Sequence, residues 1–273
     1  MSSQLILQTR PAFSWAAVRT QGASHEQCGE PCQDAFTLQT GCRNGVPYAA
    51  VAIADGAGSA RHAEEAAKLA ARLFTAFVTS EIDAYGLDET GLVDLALDAA
   101  NGVHCKLRRL AVERGVHADH FATTLLAFVA TPERMVLVQI GDGGIVMRSR
   151  NDPGWRLAFP PHHGEFCNES RFITDRDAMD WLQLTSIEGA PGTLIAFTDG
   201  LEDLLLSPAT LEVHPPLFDH IGERLGRFRN GGLDPDLSAE LDELMVSGSV
   251  RSRTDDDTTL LAIRFNGDTS WAR

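Results

Sequence analysis

Long hydrophobic runs are missing from this chain of 273 residues. None approaches the ~20 apolar residues a membrane-spanning helix needs, so no membrane span is expected. Met1–Arg10 lacks a basic start, an apolar core and a small-residue cleavage site, so no export signal is expected either. Positive charge is scarce: Lys+Arg number 23 against Asp+Glu 38, a net charge of −15. Such a surface repels nucleic acid and anionic lipid, which excludes both as partners. Cysteine is sparse and odd in number (Cys28, Cys32, Cys42, Cys105, Cys167), which fits a reduced cytoplasmic protein. No C-x-x-C knuckle occurs, so His25, Cys28, Cys32 and Cys42 make only a weak zinc set, and loop and strand cysteines beside a polar His are the simpler reading. Gly141–Gly144 is no dinucleotide fingerprint, because no G-x-G-x-x-G lies between strand and helix.

With 44% hydrophobic residues the chain can bury a sizeable core, and a single domain spanning 1–273 is expected. Leu5–Thr9, Phe13–Thr20, Asp34–Thr40 and the uninterrupted run Tyr48–Ala54 read as strands, the last buried on both faces. Gln21–Gln33 reads as a loop and Gly41–Pro47 as a turn. Two helical stripes follow over Ala63–Ser80 and Thr90–Glu113. Ala122–Ala130, Met135–Ile140, Ile145–Arg150 and Trp155–Phe159, separated by turn signals, predict an antiparallel meander. Trp181–Ile187 and Thr193–Phe197 read as strands. Leu201–Leu206, Leu217–Phe228 and Leu237–Val246 read as short helices around a Gly-rich loop at Arg227–Pro235. Thr259–Phe265 reads as a last strand. Strands and helices do not alternate one for one, which favours an α+β fold with antiparallel sheets over a doubly wound parallel one.

Five Asp-bearing segments stand at the ends of these strands: Gln33-Asp34-Ala35-Phe36, Asp55-Gly56-Ala57-Gly58-Ser59, Gly141-Asp142-Gly143-Gly144, Thr198-Asp199-Gly200 and Asp255-Asp256-Asp257-Thr258-Thr259. Any one alone reads as a turn or a solvated loop. If the fold gathers them, their mutual repulsion requires a cation, and oxygen ligands favour Mg²⁺ or Mn²⁺. That is the pattern of a two-metal hydrolase.

In order along the chain, Gln33-Asp34, Asp55-Gly56-Ala57-Gly58, Ala122-Thr123-Thr124, Gly141-Asp142-Gly143, Thr198-Asp199-Gly200 and Asp256-Asp257-Thr258-Thr259 resemble the motif series of the metal-dependent type-2C serine/threonine protein phosphatases, the PPM family. The likeness runs from about Phe13 to Phe265 and is closest to a bacterial stand-alone branch, at Gly22-Ala23-Ser24-His25, Pro31-Cys32-Gln33-Asp34 and Gly164–Ser170. It implies a four-layer αββα sandwich, two antiparallel sheets flanked by helices, with the metal centre at one end. It further implies that Asp55 bridges two core ions, that the Gly56 carbonyl binds one of them, and that Asp199 and Asp256 complete a shell. The resemblance also implies that Asp34 lies beside the other ion, directly or through water, and that Asp142 helps hold a more weakly bound third. Asp34, Asp55, Asp199 and Asp256 are thus the implied catalytic set, with Thr123 and Thr124 as support. The implied reaction is hydrolysis of phosphoserine or phosphothreonine on proteins by a metal-activated water. The implied partners are a phosphorylated protein, a Ser/Thr kinase or its targets, and the enzyme is expected to be a monomer.

The pattern departs from the family in places. The family's phosphate-gripping Arg before the first Asp is missing from Cys28–Pro31, which leaves His25, Arg19 or Arg61 as substitutes. A His that serves eukaryotic members as general acid is replaced by Ala57, which leaves water or His62; His62 reads first as an ordinary residue of a helix start. Gln33 stands where Glu is commoner. These departures motivate an alternative function, a metal-binding, weakly active regulatory module that binds a phosphoprotein or kinase. A small-ester hydrolase would differ only in substrate. Pro160–Asp175 (with His162, His163, Glu165, Asn168, Glu169 and Arg171) corresponds to a variable flap and is expected either to govern substrate access or to be a plain surface loop.

Overall fold

The computed structural model describes residues 12–149, 154–159, 170–189, 191–207 and 210–266. In chain order its elements are β1 (Phe13–Thr20), α1 (Ala23–Cys28), β2 (Asp34–Arg43), β3 (Val46–Asp55), α2 (Ala63–Tyr85), α3 (Glu89–Glu113), β4 (Leu125–Ala130), β5 (Arg134–Ile140), β6 (Gly144–Ser149) and β7 (Arg156–Leu157). They continue with α4 (Ala178–Trp181), β8 (Gln183–Glu188), β9 (Pro191–Phe197), α5 (Glu202–Leu205), α6 (Pro215–Arg227), β10 (Gly232–Leu233), α7 (Pro235–Met245), α8 (Gly248–Arg251) and β11 (Thr258–Phe265).

The strands form two sheets, ordered β2-β3-β4-β5-β8 and β10-β1-β11-β9-β6-β7. All pairings are antiparallel except the short one between β1 and β10. The period-2 alternation of β3 explains its apolar sequence. Ala50, Ala52 and Ala54 pack with α2 and α3, while Ala49, Val51 and Ile53 pack against Leu194, Ala196, Leu261 and Ile263 of the facing sheet. The other face of that second sheet, through Ala16, Val18, Ile195, Leu260 and Ala262, packs on Phe218, Ile221, Leu225, Leu237 and Leu241 of α6 and α7. Three apolar layers between four structural ones make the αββα sandwich. The helices start where their sequences allow: the Asp88 carboxylate accepts from Gly91 N at 2.8 Å to cap α3, and Asp234 accepts from Leu237 N at 3.0 Å to cap α7.

Three local expectations change. The segment Gln21–Gln33 contains α1, a single short helix ended by Gly29 in the left-handed region. The turn expected over Gly41–Pro47 is much tighter: Arg43 pairs with Val46, so Asn44-Gly45 alone turns the chain, both residues at positive φ. The meander breaks after β5, because β6 leaves the first sheet and pairs with β9 in the second. Asp142 therefore lies on the crossing between sheets. The expected strand Leu5–Thr9 lies outside the described residues.

Candidate metal centre

Strand register brings the Asp segments together. Asp34 opens β2 directly opposite Asp55 at the end of β3. On the other sheet Phe197 pairs with both Leu260 and Gly144. The segments holding Asp199, Asp256 and Asp142 thus leave their strands at one edge. Thr198 joins the two sheets there: its Oγ1 donates to Asp34 Oδ2 at 2.8 Å and accepts from Thr259 N at 3.0 Å. Thr123 Oγ1 and Thr124 N both donate to the Asp55 carbonyl at 2.8 Å, and Asp55 N donates to Thr124 Oγ1 at 2.9 Å. These two threonines fix the backbone of Asp55. The Asp255–Asp257 loop passes between two glycines. A Cβ on Gly22 would stand 2.3 Å from the Asp256 carbonyl carbon, and one on Gly200 2.1 Å from the Asp257 carbonyl oxygen, so no side chain fits at either position.

The carboxyl groups act on one another. Burial pushes Asp34 up to about 7, and Asp257 and Asp199 add to the effect. Asp55 is pushed well above the usual carboxylate range by burial, then by Asp34 and Asp199. Asp199 rises to about 6 through burial, then through Asp142 and Asp256. Asp256 is exposed as a residue, yet protein crowds its carboxyl group enough to raise its pKa, with Asp257 adding to the rise. Asp34 Oδ1 and Asp199 Oδ1 are buried with no hydrogen-bond partner among the described residues. Buried acceptors without donors, inside a pool of negative charge, fit a bound cation. The donors are carboxylates, so a hard divalent ion such as Mg²⁺ or Mn²⁺ suits them.

Two residues outside the implied metal-ligand set, Asp257 and His25, join the loops of the site. The Asp257 carboxylate is 2% exposed and accepts from Gly22 N at 2.7 Å and Gln33 N at 2.6 Å, and it pairs with His25 Nδ1 at 2.9 Å. It ties α1, the start of β2 and the Asp loop into one piece. Burial works against charge on His25, but Asp257, Asp256 and Glu30 outweigh it and raise the His25 pKa. His25, Asp256 and Asp257 also offer the tightest group of possible ligands among the described residues, all within 4.8 Å of one another. A more widely spaced two-ion arrangement is not visible as such a group. The sequence marks His25 only as a weak zinc candidate, as part of Gly22-Ala23-Ser24-His25 and as one substitute for the missing Arg; none of these signals its pairing with Asp257.

The remaining candidates separate. Arg19 Nη1 donates to the Asp34 carbonyl at 3.0 Å, so its guanidinium is tied to the carboxylate cluster, whereas Arg61 is simply exposed. The His62 ring stacks on Phe121 at 4.7 Å, the environment of a helix-start residue packed on the core. Asp142 is half-buried and accepts from Ser170 Oγ at 2.5 Å; the neighbouring Gly143 N donates to Glu202 Oε2 at 3.3 Å. Cys28, Cys32 and Cys42 are free thiols, and among the described residues they form no ligand group with His25. Of the flap, residues 160–169 lie outside the described residues. No helix among the described residues is long and apolar enough to cross a membrane.

The sequence profile of the family described as "Protein phosphatase 2C" matches residues 21–244, which takes in every site segment except Asp255–Asp257. Serine/threonine-protein phosphatase 3 of Escherichia coli (strain K12) is 34% identical over 254 residues, covering 91% of this chain and 97% of its own. Among solved structures, a bacterial serine phosphatase aligns with a TM-score of 0.61 at 15% identity, covering 93% of this chain and 98% of its own. The S. agalactiae serine/threonine phosphatase aligns with a TM-score of 0.61 at 14% identity over 93% and 100%. At such identities the structures establish the fold, and the profile and the E. coli relative establish the kinship: this chain belongs to the protein phosphatase 2C family of serine/threonine phosphatases.

Proposed function

We propose that this chain is a one-domain, monomeric, cytoplasmic enzyme that hydrolyses phosphoserine and phosphothreonine on proteins with two ions of Mg²⁺ or Mn²⁺. The observation that carries this reading is the gathering of carboxylates from both sheets at one end of the sandwich, two of them with buried, unpartnered oxygens. Asp34, Asp55, Asp199 and Asp256, with the Gly56 carbonyl, would hold the core ions, Asp55 serving both, and Asp142 would serve a third. Ions held there would supply positive charge for the phosphate and lower the pKa of a bound water.

The chain's own residues do the rest. Thr123 and Thr124 immobilise the Asp55 backbone, and Thr198 orients the Asp34 carboxylate. Arg19 supplies the phosphate grip absent from Cys28–Pro31. One of its terminal nitrogens is held by the Asp34 carbonyl, which fixes the plane of the fork and leaves other N–H groups for a phosphate oxygen. The substrate is a phosphoprotein, either a kinase or one of its targets.

A second reading keeps the ions but gives the chain slow turnover and a binding role toward a phosphoprotein or kinase. Its support is the missing Arg in the segment before Asp34. Phosphate release from a phosphothreonine peptide, with Mn²⁺, with Mg²⁺ and with chelator, beside Asp55→Asn, separates the two. Metal-dependent release abolished by Asp55→Asn supports the enzyme. No release by the unmodified chain, with metal binding seen by calorimetry, favours the binding module.

A further inference from the structure

A cleft of about 1010 Å³ opens between the C-terminal part of α3, residues 116–119 and residues 170–177. Its composition runs against that of the chain. The protein carries −15 overall with only 23 Lys+Arg, yet Arg108, Arg109, Arg171 and Arg176 all line this one cleft.

The acidic residues in its wall are already engaged. Asp119 pairs with His117 at 2.9 Å, Asp175 Oδ2 accepts from Phe172 N at 3.0 Å, and Asp177 Oδ2 accepts from Trp181 Nε1 at 2.9 Å. Phe172 N and Trp181 Nε1 are neutral donors, so Asp175 and Asp177 are held in place but keep their charge, and the lining sets four arginines against three aspartates. Arg108 Nη1 donates to the Thr174 carbonyl at 2.7 Å, a neutral partner that fixes the guanidinium without cancelling its charge. Arg171 lies over the Trp181 ring at 4.5 Å, near enough to Asp177 to help lower that carboxyl's pKa but without an ion pair among the described residues. Arg176 is exposed, with no hydrogen bond or ion pair among the described residues. Among the described residues, Arg109 alone of the four has a carboxylate partner, Glu113 at 2.7 Å, an exposed i,i+4 pair of little strength.

The cleft is also connected to the site. Ser170 lines it and donates its hydroxyl to Asp142 Oδ2. A volume at the upper end of the range for small-ligand sites, open to solvent, suits a stretch of peptide.

We propose that this cleft binds an acidic segment flanking the phosphorylated residue of the protein substrate, with Arg171 and Arg176 as the specificity-determining contacts. The inference rests on the phosphatase reading for its catalytic consequence, while the binding itself does not depend on turnover. Each arginine that meets a carboxylate at such a surface contributes a factor of roughly two to five. The acidic flank is therefore expected to raise kcat/KM by about tenfold over a neutral one.

The test compares phosphothreonine peptides with an acidic flank before the phosphoresidue, an acidic flank after it, and neutral flanks, on the unmodified chain with Mn²⁺. The same peptides are then run on Arg176→Glu, on Arg171→Glu/Arg176→Glu and on Arg176→Lys. The expected result is faster hydrolysis of one acidic peptide, a preference lost in the Glu variants and kept in Arg176→Lys. In parallel, fluorescence anisotropy follows a labelled acidic peptide without phosphate, and a single-stranded oligonucleotide of equal charge, in the presence of chelator. Salt-sensitive binding of the peptide, weakened by Arg176→Glu, supports the cleft even if no peptide is hydrolysed, an outcome that counts only against the phosphatase reading. Equal hydrolysis of all three peptides together with no peptide binding overturns the inference, as does binding of the oligonucleotide alone.

Discussion

Asp34 and Asp257 are both buried carboxylates, 0% and 2% exposed, and they face the same end of the sandwich. Their surroundings are opposite. Asp257 has a donor for each direction: Gly22 N, Gln33 N and His25 Nδ1. Asp34 has the Thr198 hydroxyl on one oxygen and nothing among the described residues on the other. A saturated buried carboxylate is a structural joint, because its charge is already met by donors that the fold supplies. An unsaturated one beside Asp55 and Asp199 costs the fold stability and is worth keeping only for a cation. The two residues thus divide the acidic cluster into a part that holds the loops and a part whose charge is left unmet among the described residues.

The largest effect should come from breaking the joint. Asp257→Ala leaves two buried backbone N–H groups and His25 without their acceptor, and is expected to lower stability by about 3–5 kcal/mol. Urea unfolding in chelator measures this without interference from metal. A loss no larger than that of an exposed ion pair, about 1 kcal/mol, would contradict the structural role given to Asp257.

Asp34→Asn probes the other half of the comparison. A metal-activated reaction that loses a ligand carboxylate forfeits several kcal/mol of transition-state stabilisation, so kcat/KM should fall roughly 100- to 1000-fold. Stability in chelator should stay level or rise, because a buried like-charge repulsion is removed. Loss of activity and of apo stability together would place Asp34 with Asp257 among the joints.

The same asymmetry has a pH signature. Asp34 and Asp199 stand at about 7 and about 6 in the folded protein, above the ordinary carboxylate value near 4 that they regain on unfolding. Between those values the folded state binds more protons than the unfolded one. Stability of the metal-free protein must then fall as pH rises through this window and recover as pH drops. Thermal unfolding in chelator at pH 8, 7, 6 and 5 should give a rising midpoint as the acid end is approached. Asp34→Asn should flatten that rise. A midpoint that falls on acidification would mean that these carboxylates are already satisfied without metal.

The layered sandwich was legible because its signals are periodic and long. Tyr48–Ala54, the two helical stripes and Thr259–Phe265 each fix a buried face, and the ordered Asp segments mark the strand ends that the fold brings together. What stayed hidden depends on contacts between distant segments. Three consecutive carboxylates at Asp255–Asp257 look alike in sequence; only the approach of Gly22 and Gln33 makes Asp257 a joint and leaves Asp256 facing outward. His25 gains its place only through that joint. The meander expectation failed at Gly141–Gly143 because hairpin and sheet-crossing turns use the same Gly and Asp residues, and pairing of β6 with β9 decides between them. Arg19 pairs with Thr259 across β1 and β11, and its side chain reaches the Asp34 carbonyl from the facing sheet, a contact that motif spacing does not show.

Thr198 is where the comparison can be sharpened most finely, because its hydroxyl gives Asp34 a hydrogen bond and takes one from Thr259 N. Thr198→Val keeps the shape and removes both bonds. It strands a buried N–H and removes one of the two hydroxyls, the other being that of Thr259, that favour the charged form of Asp34, an expected loss of about 1–3 kcal/mol. Without that donor the charged form of Asp34 is less favoured, so its pKa should climb further and the pH-dependent limb of apo stability should move to higher pH. Thr198→Ser retains the hydroxyl and should restore both the limb and most of the stability. If Val and Ser behave alike, the hydroxyl does not set the charge on Asp34, and burial beside Asp55, Asp199 and Asp257 alone keeps that carboxyl protonated until an ion arrives.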